Sequence, residues 1–200
     1  MAQTHKNWEV VIVHDGQPQY VPEFEDDRIR FYSIAKIYNY PQDNKKAEWL
    51  AGPVNALNFA LSQVNNEDGY IMRIDDDDIL LPDAMAALVR YIFLFAYDFV
   101  SANWVNERNE QARPYSLREL GLNSDGNLGG VQTWIYRAEF KNIKYCPNCW
   151  MKPHNANNEL DWFERFFKSG HRHIGWLERV VTKILPRPGE TDIGSKAYVR

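Results

Sequence analysis

The run Tyr70-Ile71-Met72-Arg73-Ile74 leads straight into four consecutive aspartates, Asp75 to Asp78, and Pro82-Asp83 follows at the head of a long apolar stretch. Few folds tolerate that order. Adjacent carboxylates at contact distance repel by roughly 1 kcal/mol even in bulk water, and by more near a protein surface. The strand must therefore end at Asp75, with the acids either solvated or gathered around a cation. Proline suits the first helical position, and the Asp83 carboxylate sits on the positive end of the helix dipole. The segment predicts a strand, an acidic turn and a helix from Pro82.

The same alternation continues along the chain. Trp8 to Val13 is a continuous apolar run stopped by His14-Asp15-Gly16, as in a strand buried on both faces. Arg28 to Ile34 alternates like a second strand. Gly52-Pro53 opens a helical stretch through Val64, with Val54, Leu57, Ala60 and Leu61 on one face. Phe99 to Val105, the stretch after Gly129-Gly130 (VQTWIYR) and Ile174 to Ile184 read as strands, and Asn158 to Ser169 as a helix closed by Gly170. Strands alternating with helices imply an α/β domain with a mostly parallel central sheet and flanking helices. Ligands of such sheets gather at the carboxyl ends of the strands, where His14-Asp15 and Asp75 to Asp78 both fall.

The chain of 200 residues predicts a single domain, 1–200, with a first half of about 1–105 and a second of about 106–200. A formal charge of −4 argues against a nucleic-acid scaffold. An acidic protein can still hold an anion through an intervening cation. Hard Mg²⁺ or Mn²⁺ prefers oxygen donors and keeps positions open for a diphosphate. An EF-hand is excluded, because its glycine and terminal glutamate are absent. With two cysteines, Cys146 and Cys149, no disulfide framework is possible and a reducing compartment is the simpler reading. The amino terminus lacks a signal pattern, and Ala84 to Val100 is interrupted by Arg90 and Asp98 and too short to span a bilayer. The expectation is a soluble, cytoplasmic protein with no transmembrane segment, membrane-surface association remaining open.

Three ordered blocks resemble the inverting family 2 glycosyltransferases of the GT-A fold. Gln3-Thr4-His5-Lys6-Asn7-Trp8-Glu9-Val10-Val11-Ile12-Val13-His14-Asp15-Gly16 is similar to their QTYKNWEIIVVDDGS segment. Gly52-Pro53-Val54-Asn55-Ala56-Leu57, Gly69-Tyr70-Ile71, Asp75 to Asp78 and Pro82-Asp83 resemble their second block, and Asn158-Glu159-Leu160-Asp161-Trp162 resembles the entry to the helix carrying their base. Members carry a further strand and helix before the first block, which this sequence lacks.

The resemblance implies a UDP-sugar or other nucleotide-sugar donor, a glycan or other hydroxyl acceptor, and Mn²⁺ or Mg²⁺. It implies that Asp15 contacts the nucleobase, that Asp75 and Asp77 form the metal-binding pair, and that Asp76 lies near the ribose or metal waters. Asp161 matches the general base, with Glu159 in reserve. Many members offer a metal-binding histidine near the carboxyl end, where this chain has Arg187-Pro188-Gly189-Glu190. His171 and His173 are candidates for the missing ligand, and Arg187 for the diphosphate.

The chemistry asks for the same parts. A cation stabilises the departing diphosphate, and a carboxylate takes the acceptor's proton for a gain of typically ~10²–10⁴-fold. Alignment on opposite faces of the anomeric carbon predicts inversion. Two other functions compete: a metal-dependent phosphohydrolase, for which Ile79 fills the β-branched position of a DxDx[TV] pattern, and a non-catalytic nucleotide-sugar or glycan binding module. Cys146 and Cys149 could join His154, His171 or His173 around zinc, although two reduced structural thiols is the leading reading. Trp134 and Trp162 are the two tryptophans nominated to stack on an acceptor sugar.

Overall fold

The computed structural model describes residues 3–18, 21–152, 157–171 and 173–185. In chain order the elements are β1 (Val10–Asp15), β2 (Ile29–Ile34), α1 (Lys45–Ala51), α2 (Val54–Ser62), β3 (Tyr70–Met72), β4 (Asp78–Leu80), α3 (Ala84–Leu94), β5 (Phe99–Val105), β6 (Tyr115–Ser116), β7 (Asn127–Leu128), β8 (Ile135–Arg137), α4 (Asn158–Lys168) and β9 (Ile174–Ile184). They form two compact units: Met1–Lys6, Asp68–Arg137 and His171–Arg200 in the first, Asn7–Glu67 and Ala138–Gly170 in the second.

The first unit is built on a five-stranded sheet ordered β3-β8-β5-β9-β4. β5 and β9 run parallel, as the strand-helix alternation implies, but β3–β8, β8–β5 and β9–β4 are antiparallel. The direction reverses because α3 provides the helical crossover only once; β8 is reached through loops and short 3-10 turns.

α3 lays Ala84, Leu88 and Ile92, spaced four apart, on the sheet face carrying Val100, Ala102, Ile135 and Val181. Gln3 ties the start of the chain to this layer, its side-chain amide donating to Leu81 O (2.6 Å) and accepting from Met85 N (3.2 Å).

The register shows that this sheet curls. Met72 lies level with Val100 through Ile135, while Asp78 pairs with Ile184, just past the Val105–Lys183 pair. In a flat sheet four strand spacings and about six residues of strand would hold Met72 and Asp78 ~27 Å apart. The six peptide steps joining them reach at most ~22 Å, less with a turn among them. Two register shifts in β9, which leave Glu178, Arg179 and Val181 out of step with β5, supply the bend.

The second unit pairs β1 with β2 in parallel, Val10 opposite Ile29 and Asp15 opposite Ile34. α2 packs on β1. α1, which the hydrophobic pattern leaves unmarked, starts where the Asn44 side chain accepts from Ala47 N (3.0 Å). α4 turns Trp162, Phe163, Phe166 and Phe167 inward. Trp162 stacks on Phe166 (5.4 Å, 12°) and Tyr145 (6.0 Å, 27°). Asn58 clasps the backbone of Tyr145, donating to its carbonyl (2.9 Å) and accepting from its N–H (2.7 Å).

Candidate functional site

In the first unit the four aspartates form the turn between β3 and β4. Asp78 N donates to Asp75 O (3.2 Å), and Leu185 N donates to Asp77 O (3.1 Å), fixing the turn against the end of β9. A tight turn after a strand throws several side chains to one side. One carboxylate oxygen each from Asp75, Asp77 and Asp78 lie within 4.8 Å of one another. Asp76, at the tip, is exposed and stays outside this group.

The Arg73 guanidinium, only 10% exposed, holds Asp75 Oδ1 from Nε (3.1 Å) and Nη2 (3.0 Å). The Asp78 carboxyl is pushed up to about 7, first by burial and then by the charges of Asp75 and Asp77. That is the electrostatic mark of a place short of positive charge. Asp78 was the member of the trio that the motif alone did not single out; its signal was the fourth consecutive aspartate.

The donor set fits a hard divalent cation: three carboxylates and no sulfur or nitrogen. His171 and His173 are not part of it. Both precede β9, whereas the acidic turn pairs with the far end of that eleven-residue strand. The His173 ring instead packs on Tyr97 (4.6 Å), with Nδ1 2.9 Å from Ala96 O. Against the expectation that a histidine completes the acidic group, the group beside Asp75 and Asp77 among the described residues is the Asp78 carboxylate. Arg187 and His154 lie outside the described residues. Among the described residues no trio that could hold a metal forms around Cys146 and Cys149. The Cys149 thiol is buried, pushed up to about 11 and donating to Leu50 O.

In the second unit α4 begins at Asn157, whose side chain accepts from Leu160 N (2.9 Å). This first turn carries Glu159 and Asp161, but the helix separates them. Asp161 is fully buried and ion-paired to Lys152 and to Arg165 (3.0 Å), one turn further on. The carboxylate is held between two cations and closed to solvent. That placement ties the first turn of α4 to Lys152 and does not favour Asp161 as the general base. Glu159 lies on the partly exposed side of the same turn.

Asp15 ends β1 with its Oδ1 buried and without a hydrogen-bond partner. Its carboxyl is held above the usual range, chiefly by burial, against the pull of Lys36 and His14. The two nominated tryptophans are core residues. Trp134 is 2% exposed, donating from Nε1 to Gly129 O (2.7 Å), and Trp162 is fully buried. Gly129 allows a close approach instead: a Cβ there would stand 2.2 Å from Ala102 O.

Residues 1–151 match the family model described as glycosyl transferase family 2. No curated protein sequence matches the chain. Among solved structures the chain is similar to S. aureus TarS 1–349 in complex with UDP, at 16% identity and a TM-score of 0.56, over 94% of this chain and 54% of that one. It is similar to the same protein in complex with UDP-GlcNAc at 18% identity and a TM-score of 0.57, over 99% and 55% respectively. The chain spans about half the length of these TarS 1–349 structures. At such identity the likeness speaks for the fold, a GT-A-like α/β architecture. No helix among the described residues is long and apolar enough to cross a membrane.

Proposed function

Because the chain belongs to glycosyl transferase family 2, we propose that it transfers a sugar from a UDP-sugar to an acceptor hydroxyl, with inversion and with Mn²⁺ or Mg²⁺ bound at the acidic turn. The observation that carries this reading is the convergence of Asp75, Asp77 and Asp78 within 4.8 Å in a GT-A-like fold. The UDP and UDP-GlcNAc complexes of TarS support the choice of donor class.

Asp75, Asp77 and Asp78 would hold the cation, which when bound supplies Lewis-acid stabilisation of the leaving diphosphate. Arg73 orients Asp75 for that task. Asp76, exposed at the turn's tip, is left to the ribose or to water. Asp15 takes the nucleobase, where a buried acceptor without a partner gains most from a ring N–H. Glu159 takes the acceptor's proton. The first turn of α4 gives its carboxylate a fixed place. Asp161 serves beneath it as an anchor through Lys152 and Arg165.

The test is calorimetry of UDP binding with and without Mn²⁺, paired with UDP release from UDP-sugars in the presence of candidate acceptors. Asp77→Ala is expected to remove the gain in UDP affinity that Mn²⁺ gives. If the parent protein shows no such gain, the metal assignment is lost; if it binds every UDP-sugar without turnover in any acceptor screen, the chain is a binding module.

A further inference from the structure

The carboxyl end of α3, within the first unit, leaves three consecutive apolar side chains on water: Phe93 is 71% exposed, Leu94 61% and Phe95 53%. Leu88 and Ile92 of the same helix are fully buried against the sheet. At about 100° per residue, the three exposed side chains point to different sides of the helix end. They make a convex tip, where a docking helix would show a flat stripe.

The turn that carries the tip is well fixed. Tyr97 N donates to Ile92 O (3.0 Å) and Ala96 N to Phe93 O (3.2 Å), the paired bonds of a Schellman motif. Ala96 has φ +52°, at the left-handed position that glycine usually fills. The His173 ring packs 4.6 Å from Tyr97, with Nδ1 2.9 Å from Ala96 O. Phe95 rests on Tyr91 (4.9 Å) and on Tyr97 (5.8 Å). Apolar groups held on an ordered turn lose little freedom when a partner covers them.

Polar and basic groups surround the tip. Arg90, which is exposed, lies one helical turn before Leu94. Arg137 donates from Nε to Tyr97 O (3.1 Å) and stands 3.7 Å from the Asp98 carboxylate. The Tyr91 hydroxyl donates to Trp176 O (3.1 Å). Arg90 and Arg137 outweigh Asp98, so this rim complements phosphate headgroups. Tyrosines, apolar along the ring and polar at the hydroxyl, suit the boundary between lipid and water.

The exposed area is small for a protein interface. At about 200 Å² for a whole phenylalanine, Phe93 and Phe95 keep roughly 250 Å² on water. Adding Leu94 leaves the tip below half of the ~800 Å² that each partner gives to a stable complex. A second copy meeting this tip would bury too little to hold. Acyl chains, in contrast, close around a convex apolar group on every side.

We propose that Phe93, Leu94 and Phe95 insert into the surface layer of a phospholipid bilayer, with Arg90 and Arg137 on the headgroup phosphates. The tip lies at the opposite end of α3 from the acidic turn, so this docking is separate from the sugar-transfer reading.

The experiment is flotation of the full chain with vesicles of phosphatidylcholine, and with vesicles of phosphatidylcholine and phosphatidylglycerol in equal parts. The parent should float with both and partition more strongly into the anionic mixture. Phe93→Ser and Leu94→Ser should each weaken partitioning by roughly tenfold. Because both positions are exposed, both variants should melt with the parent and keep its affinity for UDP with Mn²⁺. Phe93→Trp should still bind, and its fluorescence should be quenched more than the parent's by brominated acyl chains.

A parent that floats with neither vesicle overturns the proposal, as does parental partitioning in both serine variants. Light scattering that shows a parent dimer dissolved by Leu94→Ser also overturns it, assigning the tip to a second copy. Each of these results can occur while UDP binding persists, which leaves the glycosyltransferase reading standing.

Discussion

At the scale of single residues, neighbouring carboxylates have been given different work by their surroundings. Asp78 is crowded by Asp75 and Asp77 and held near 7. Its folded value lies above its unfolded one, so between about pH 4 and 7 the native state holds more protons, and stability falls as pH rises through that window. Without metal, Asp78→Asn is expected to raise the melting temperature at pH 8 by ~3 °C and to leave it unchanged below pH 4, as scanning calorimetry can follow. The same protonation competes with the cation, so Mn²⁺ affinity should fall as pH drops from 8 to 6.

Glu159 and Asp161 make the second contrast. Glu159→Gln should cut transfer by roughly 10²–10⁴-fold with little change in melting. Asp161→Asn should destabilise by about 2 kcal/mol in urea titrations. That is less than a wholly buried pair would lose, since Lys152 and Arg165 keep 40% and 35% of their exposure. A parental transfer rate in Glu159→Gln would return the search for a base to its beginning.

At the scale of elements, the acidic turn depends on what lies on each side of it. α3 presses Ala84, Leu88 and Ile92 onto the sheet, and all three are fully buried. Leu88→Ala is expected to cost about 2–5 kcal/mol, measured by denaturant unfolding. Gly129 and Ser101 lock the loop before β8 onto β5, Gly129 N donating to Ser101 Oγ (3.1 Å). Gly129→Ala would put a methyl 2.2 Å from Ala102 O, so the strand or the loop must shift. A fall in melting temperature is the expected readout, larger than for Gly121→Ala, where a Cβ meets nothing within 4 Å but the backbone φ is +76°.

At the scale of the whole molecule, a ligand that binds only the folded chain stabilises it by mass action. UDP with Mn²⁺ at a hundred times its dissociation constant should add about 2.7 kcal/mol, visible as a rise of several degrees in melting temperature. EDTA should remove most of that rise, and Asp77→Ala should abolish the part that depends on Mn²⁺.

The sequence by itself determined several strands: β5 spans Phe99–Val105 and β9 Ile174–Ile184, as their patterns indicate, and the acidic turn follows β3. Local chemistry suffices there, because a stretch of buried side chains or of adjacent charges constrains its own backbone. The two helices were legible in outline: α3 begins at Ala84, two residues past Pro82 and without a capping bond from Asp83, and α4 ends at Lys168, two residues before Gly170. α1 was not read, although Asn44 carries its start signal, and β4 was hidden inside the turn that the aspartates announce.

Tertiary structure alone decided the rest. Strand directions follow from which loops can return the chain to the sheet, and the curl follows from shifts in pairing that no single strand records. Asp161 and Glu159 share one helical turn and one kind of charge. Only packing turns Asp161 toward Lys152 and Arg165 and leaves Glu159 partly exposed.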